Sequence, residues 1–254
     1  MAGAEKKAKH LLGLVGRNIS YSFSRGYFAD KFEKENLSDH KYVNFDIQTI
    51  EDFPKVIHEF KFRLKGLNVT IPYKQDVFAY LDSVHKVAQK VGAVNTIKIT
   101  KKGNLKGYNT DVVGFRDSIE PLLLPHHNKA LILGTGGASK AVAYVFKELG
   151  IKYLKVSRNP RKKKEIAYTD LTEELLNKYT VIVNCTPLGT FPKVDQKPEI
   201  PYQFLGQNHL LYDLIYNPEK TAFLLEGEAR GAQIKNGLEM LQLQAEESWR
   251  IWNG

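Results

Sequence analysis

Leu131-Ile132-Leu133-Gly134-Thr135-Gly136-Gly137-Ala138-Ser139 runs an apolar strand into a glycine turn and on into a helix. Small residues at Gly134, Gly136, Gly137 and Ala138 let backbone N–H groups approach a pyrophosphate at the helix N-terminus. Ser139 takes the third glycine position of the dinucleotide fingerprint, so a tight turn without a ligand is the competing reading. About twenty residues on, an NAD site usually carries an acid for the ribose 2′-hydroxyl. Here the chain has Val156-Ser157-Arg158-Asn159, then Arg161, Lys162, Lys163 and Lys164. Cations there suit a 2′-phosphate, each charged hydrogen bond being worth about 1.5–3 kcal/mol, and NADP is expected over NAD. A solvated basic helix start accounts for most of the cluster, though less easily for Arg158.

Asn68-Val69-Thr70-Ile71-Pro72-Tyr73-Lys74 brings polar residues and a lysine to a predicted strand end, the edge of a parallel sheet where ligands collect. A lone lysine is usually solvated, but one partly desolvated or held beside a carboxylate can move a proton. Gly107-Tyr108-Asn109-Thr110-Asp111 supplies a carboxylate before a predicted helix. Asp111 reads equally as an N-cap or first-turn acid, and spacing alone does not bring it to Lys74. Ser22-Phe23-Ser24 offers two hydroxyls for a substrate carboxylate, or an ordinary serine-rich turn. Asn184-Cys185-Thr186-Pro187-Leu188-Gly189 lines a nicotinamide pocket or merely turns the chain. Cys185 reads as a small core residue, since no histidine accompanies it in sequence. His126 and His127, beside Pro125, read as an exposed interdomain loop.

These residues need a scaffold, and 254 residues that are 43% hydrophobic and 26% charged suit two modest domains. The net charge of +9 fits nucleic acid or anionic small molecules. With no basic arm and no zinc-finger or RNA-recognition signature, nucleic acid is set aside. One cysteine cannot form an internal disulfide, and seven scattered histidines lack metal-ligand spacing, so no metal is expected. The apolar run after the charged N-terminal stretch is broken by Arg17, too short for a signal or a membrane span. A cytoplasmic monomer or homodimer is expected.

Strand patterns at Leu11–Val15, Tyr42–Ile47 and up to Val69 alternate with helical patterns at Arg25–Leu37 and Ile50–Phe60, the grammar of a parallel sheet. A helical region is expected over Asp76–Lys90, then a hairpin or edge pair from Val94–Thr100 and Asn104–Tyr108. The second half repeats the grammar: strand Ala130–Leu133, helix Ala138–Leu149, and strands Tyr153–Val156, Val181–Val183 and Leu210–Leu214. Asn236-Gly237 breaks the chain before a final helix over Leu238–Trp252, which need not pack on the second domain.

Taken in order, these segments resemble the shikimate dehydrogenase family over nearly the whole chain. Carrying the resemblance are the Ser22/Ser24 pair, the Asn68–Lys74 and Gly107–Asp111 segments, Gly92-Ala93-Val94-Asn95-Thr96, the glycine turn and the Asn184–Gly189 segment. Asp213-Leu214-Ile215-Tyr216-Asn217-Pro218 and Gly237 to Leu241 through Gln244-Ala245 complete it. The resemblance implies an α/β protein of two domains. One is an N-terminal α/β substrate domain, residues 1–109, completed by the C-terminal helix 238–254; the other is a Rossmann-like doubly wound NADP domain, 110–237. It implies reversible NADPH-dependent reduction of 3-dehydroshikimate to shikimate, on the route to chorismate and the aromatic amino acids. Lys74 would be the acid–base residue with Asp111 orienting it or sharing the proton. Ser22 and Ser24 would hold the carboxylate, and Thr70, Asn95, Asp111 and Gln244 the ring hydroxyls. Tyr216 and Gly237 would lie near substrate and nicotinamide, and Gly134, Gly136, Gly137, Ala138, Ser157, Arg158, Lys162 and Thr186 would serve the cofactor. The family commonly has Asn-Arg-Thr where this chain has Ser157-Arg158-Asn159. Two alternatives stand beside this: a relative using NAD or quinate, and a catalytically silent ligand sensor. The two serines and the basic cluster argue against the first, and retention of Lys74 and Asp111 against the second.

Overall fold

The computed structural model describes residues 8–20 and 22–254. The reading of the N-terminal stretch falls largely on residues 1–7, outside the described residues. The chain forms two compact units, one of residues up to Thr110 together with Ala245–Gly254, the other Asp111–Gln244.

The first unit holds β1 (His10–Gly16), α1 (Phe23–Lys34), β2 (His40–Asp46), α2 (Phe53–Phe60), β3 (Leu64–Val69), β4 (Ser83–Val84), α3 (Lys86–Val91), β5 (Thr96–Ile99) and β6 (Leu105–Tyr108). Its sheet has the order β2-β1-β3-β5-β6-β4, parallel through β2-β1-β3 and antiparallel from β3 to β5 to β6. After His10 the strand β1 is buried throughout, as expected of a central strand covered on both faces. Alternation sorts its side chains. Leu11 and Val15 join the core containing Phe53 and Val56 of α2, while Leu12 and Leu14 join Phe28 and Phe32 of α1.

The second unit holds α4 (Asp111–Ile119), β7 (Lys129–Leu133), α5 (Gly137–Glu148), β8 (Lys152–Val156), β9 (Glu165–Ile166), α6 (Glu173–Lys178), β10 (Val181–Asn184), β11 (Leu210–Asp213), α7 (Ala222–Glu228), β12 (Gln233–Lys235) and the start of α8 (Leu238–Asn253). Its six strands are all parallel, in the order β12-β11-β10-β7-β8-β9. The chain winds outward from β7 in both directions, so the strand order reverses between β7 and β10. Ligands of doubly wound sheets collect at such a point.

The expected helix over Asp76–Lys90 is instead a 3-10 turn (Asp76–Tyr80), β4 and α3. An edge strand wins here: Asp82 Oδ2 accepts from Leu105 N at 2.7 Å, and Ser83 and Val84 pair in parallel with Lys106 and Gly107. His85 N then donates to Gly107 O at 2.8 Å. His127, expected to be exposed, is buried; its Nδ1 accepts from Leu124 N at 3.0 Å. Helices α6 and α7 are too short for a periodicity signal, but Thr172 and Thr221 cap them by accepting from Leu175 N and Leu224 N.

Helix α8 starts after the Asn236-Gly237 break, with Leu238 N donating to Asn236 Oδ1 at 3.2 Å. It is shared between the units. Its first part, Leu238–Gln244, runs so close to Gly114 of α4 that a Cβ there would meet the Met240 carbonyl. Ala245, Ile251 and Trp252 belong to the core of Leu12, Phe28 and Tyr42. Trp252 Nε1 donates to Ile97 O at 3.0 Å, and Gly66 must be glycine because the indole lies against it.

Candidate active site

In the first unit, polar residues converge where the end of β3, the start of β5 and the end of β6 lie side by side. Asn68, at the end of β3, accepts from Tyr42 OH at 2.8 Å and donates to Ser248 Oγ at 3.0 Å and Thr96 Oγ1 at 3.2 Å. The Thr96 and Ser248 hydroxyls are 2.8 Å apart. Asn95 is locked beside them: its Oδ1 accepts from Thr110 N at 2.7 Å and its Nδ2 donates to Thr110 Oγ1 at 3.0 Å. Tyr42, Asn68, Asn95, Thr96, Thr110 and Ser248 are all buried. Bonds in such a web are strong because water does not compete, and each member holds its neighbour's orientation.

Ser24 joins this web. Burial pushes the Tyr42 phenol far above its ordinary range, and a hydrogen bond from buried Ser24 works against that shift. Ser22 caps the start of α1 without using its side chain, and its buried Oγ has no hydrogen-bond partner among the described residues. Unmade buried hydroxyl bonds cost about 1–3 kcal/mol, so an orphan of this kind marks a place for an acceptor.

Lys74 follows β3 in the turn after Thr70. Its carbonyl accepts from Val94 N at 2.8 Å, and the preceding Tyr73 is buried with its hydroxyl donating to Ile47 O at 2.8 Å. The backbone is thereby pinned on both sides, leaving the Lys74 side chain half-buried. Thr70 is held by its N–H to Val15 O at 2.9 Å. Asp111 is buried and opens α4 as its first-turn acid, at the point where the chain passes from one unit to the other. Gln244, also buried, ends the α8 segment assigned to the second unit; its Nε2 donates to Leu241 O at 2.9 Å.

In the second unit, Gly134 leaves β7 with φ +104°, a conformation that favours glycine, and a Cβ there would sit 3.2 Å from Thr186 Cγ2. The turn therefore abuts the segment after β10 at the strand-order reversal. Added Cβ atoms at Gly136 and Gly137 would meet nothing within 4 Å, so the backbone is open where a ligand would lie. Gly136 caps α5 without a side-chain acceptor, and the first turn of α5 holds no acid. Unsatisfied N–H groups and the positive end of the helix dipole favour an anion there. Cations gather around the same turn: Lys140 is pushed down by burial and by Lys162. Ser157 Oγ shapes the turn after β8 by accepting from Asn159 N at 3.2 Å, and Arg158 is exposed beside Tyr168. These residues fit a phosphorylated dinucleotide.

Thr186 is oriented by Asn184, whose Oδ1 accepts from Thr186 Oγ1 at 2.7 Å and Thr186 N at 3.0 Å. Asn184 Nδ2 in turn donates to Asp213 Oδ1 at 3.1 Å, and Asp213 Oδ2 accepts from Thr221 Oγ1 at 2.6 Å. Burial raises the Asp213 carboxyl to about 6 despite those donors. Burial also pushes the Cys185 thiol up, removing it as a nucleophile at neutral pH. Gly237 N donates to Ile215 O at 3.0 Å, and a Cβ on Gly237 would run into the Leu214 backbone. Tyr216 is half-buried in the same segment.

Sequence reasoning did not find Tyr42 or Ser248, which lie on separate elements with no local motif, and it quoted Thr96 in the Gly92–Thr96 segment without giving it a role. It also did not group His10, Asp39 and His40, whose ligating atoms lie within 4.8 Å because β1 and β2 pair His10 with His40. Asp39 is already shared by both rings, and Lys65 and Lys9 press on His10.

A family model described as the shikimate dehydrogenase substrate binding domain matches residues 14–97. A Clostridium botulinum shikimate dehydrogenase (NADP(+)) is 39% identical over 249 residues, covering 94% of this chain and 95% of the relative. The crystal structure of shikimate 5-dehydrogenase from Thermus thermophilus with NADP(H) and shikimate is 30% identical, with TM-score 0.85 over 96% of this chain and 94% of that one. Quinate dehydrogenase from Corynebacterium glutamicum with NAD has TM-score 0.86 at 25% identity, covering 97% of this chain and 94% of that one. Among the described residues no helix is long and apolar enough to cross a membrane.

Proposed function

Since this chain belongs to the shikimate dehydrogenase family, we propose that it interconverts 3-dehydroshikimate and shikimate with NADP, the first unit binding substrate and the second the cofactor. The supporting observation is that the open glycine turn on α5 shares a chain with the buried polar web around Asn68 and Asn95. Bound NADPH supplies the hydride.

Ser22 donates its unpartnered hydroxyl to the substrate carboxylate, with Ser24 beside it. Thr70, Asn95, Asp111 and Gln244 hold the ring hydroxyls; polar groups of this kind reject analogues that lack a hydroxyl, because such an analogue leaves them unpaired. As negative charge builds on the C3 oxygen, the Lys74 ammonium stabilises it and delivers the proton, with Asp111 orienting the lysine. Gly134, Gly136, Gly137 and Ala138 present backbone donors to the pyrophosphate, while Ser157, Arg158 and Lys162 take the 2′-phosphate end. Thr186, Tyr216 and Gly237 border the nicotinamide. The setting is the cytoplasm, for a monomer or homodimer in the route to chorismate.

The test follows dinucleotide absorbance with shikimate and with quinate, each with NADP+ and NAD+. Turnover of shikimate with NADP+ as the best pair is expected. A preference for quinate with NAD+ would reassign the chain within its family, and tight shikimate binding without turnover would make it a sensor.

A further inference from the structure

We propose that Lys155, on β8, is a cofactor-positioning residue whose ammonium supports the pyrophosphate from beneath the glycine turn. This rests on the reading of the second unit as the dinucleotide unit. Lys155 lies opposite Ile132 of β7, in the interior of a parallel sheet where apolar residues are the rule. Its Nζ is 3.2 Å from Ser139 Oγ on the first turn of α5, and Ser139 Oγ donates to Gly136 O at 2.7 Å. Ser139 is fully buried, so the ammonium reaches the underside of the turn.

That placement is unfavourable on its own terms. A cation sits at the positive end of a helix dipole, and no carboxylate among the described residues forms a salt bridge with it. Glu165, its register partner on β9, accepts from Arg161 N at 2.8 Å instead. Burial pushes the Lys155 ammonium down; the charges of Cys185 and Glu165 work against that shift, and those of Lys162 and Lys140 add to it. Three cations around one open helix N-terminus are relieved together by an anion. Lys155 lies under the glycine turn, whereas Lys162 lies in the loop beyond β8, so their tasks differ: Lys155 serves the phosphates common to NAD and NADP, and Lys162 the 2′-phosphate.

The ligand-free protein and its Lys155→Met, Lys155→Arg and Lys162→Met variants are titrated calorimetrically with NADP+, NAD+ and 2′-AMP, which lacks the pyrophosphate. Lys155→Met is expected to weaken NADP+ and NAD+ by the same factor, about tenfold or more, and to leave 2′-AMP unchanged. Lys155→Arg retains most of the affinity, and Lys162→Met weakens NADP+ and 2′-AMP while sparing NAD+. The melting temperature of Lys155→Met should be at least that of the wild type, since a desolvated ammonium is removed. Equal cofactor affinity in wild type and Lys155→Met, a loss confined to NADP+ and 2′-AMP, or an affinity loss tracking a fall in melting temperature would each overturn the assignment. A wild type that binds neither dinucleotide would overturn the reading beneath it.

Discussion

Replacing Asp213 by Asn should abolish a specific pH dependence of stability. The carboxylate is buried on β11 and accepts from Thr221 Oγ1 at 2.6 Å, Ile215 N at 3.0 Å and Asn184 Nδ2 at 3.1 Å. Desolvation outweighs these donors and raises the group from 3.8 to about 6. A group whose pKa is higher folded than unfolded contributes stability that is complete below the unfolded value and lost as pH rises through the folded one. A shift of about two units corresponds to about 3 kcal/mol, lost between roughly pH 4 and pH 6. Asparagine has nearly the same shape and does not titrate. The difference in unfolding free energy, wild type minus Asp213→Asn, should therefore fall by about 3 kcal/mol from pH 4 to pH 7, while other groups cancel. Urea unfolding followed by far-UV circular dichroism reads this. Tryptophan fluorescence does not, because Trp249 and Trp252, the two tryptophans, both lie in the first unit. A difference that stays constant across the window would refute the argument that desolvation dominates at Asp213.

Lys74→Ala should lower kcat by about 10²- to 10⁴-fold with cofactor affinity preserved, read by steady-state kinetics beside NADP+ titration; unchanged turnover sinks the acid–base role. Wild-type kcat/KM with NADP+ should exceed that with NAD+ by at least about tenfold, and Arg158→Ala should erase most of that ratio by lowering only the NADP+ value. Equal use of both cofactors by the wild type contradicts the reading. Gly237→Ala forces a Cβ into the Leu214 backbone and should cost at least about 2 kcal/mol, seen as a lowered melting temperature; a variant as stable as wild type shows the approach is not obligatory.

Much of the scaffold was legible locally. The continuous apolar runs of β1, β7 and β10 announce central strands of parallel sheets, and Asn236-Gly237 announces the start of α8. The segment Asp76–Lys90 misled because its helical periodicity says nothing of the unpaired edge of β6, which Ser83 and Val84 satisfy. His127 misled because a loop-like neighbourhood does not exclude burial, and its ring nitrogens found backbone partners. Lys155 carries no signal in the sequence, and only its place on β8 brings its ammonium to Ser139.

By itself the sequence determined which chemical groups the protein owns and the local turns that present them. The glycine turn, the absence of an acid after β8, and the polar segments Asn68–Lys74 and Gly107–Asp111 all follow from side-chain size, charge and backbone freedom within a few residues. Only the tertiary structure decided which distant groups share a hydrogen bond. Ser24, Tyr42, Asn68 and Ser248 come from four separate elements, and Asn184, Asp213 and Thr221 from β10, β11 and the turn before α7. The physical reason is that burying apolar surface sets the packing of strands and helices, and the buried polar groups must then find partners among whatever that packing brings near.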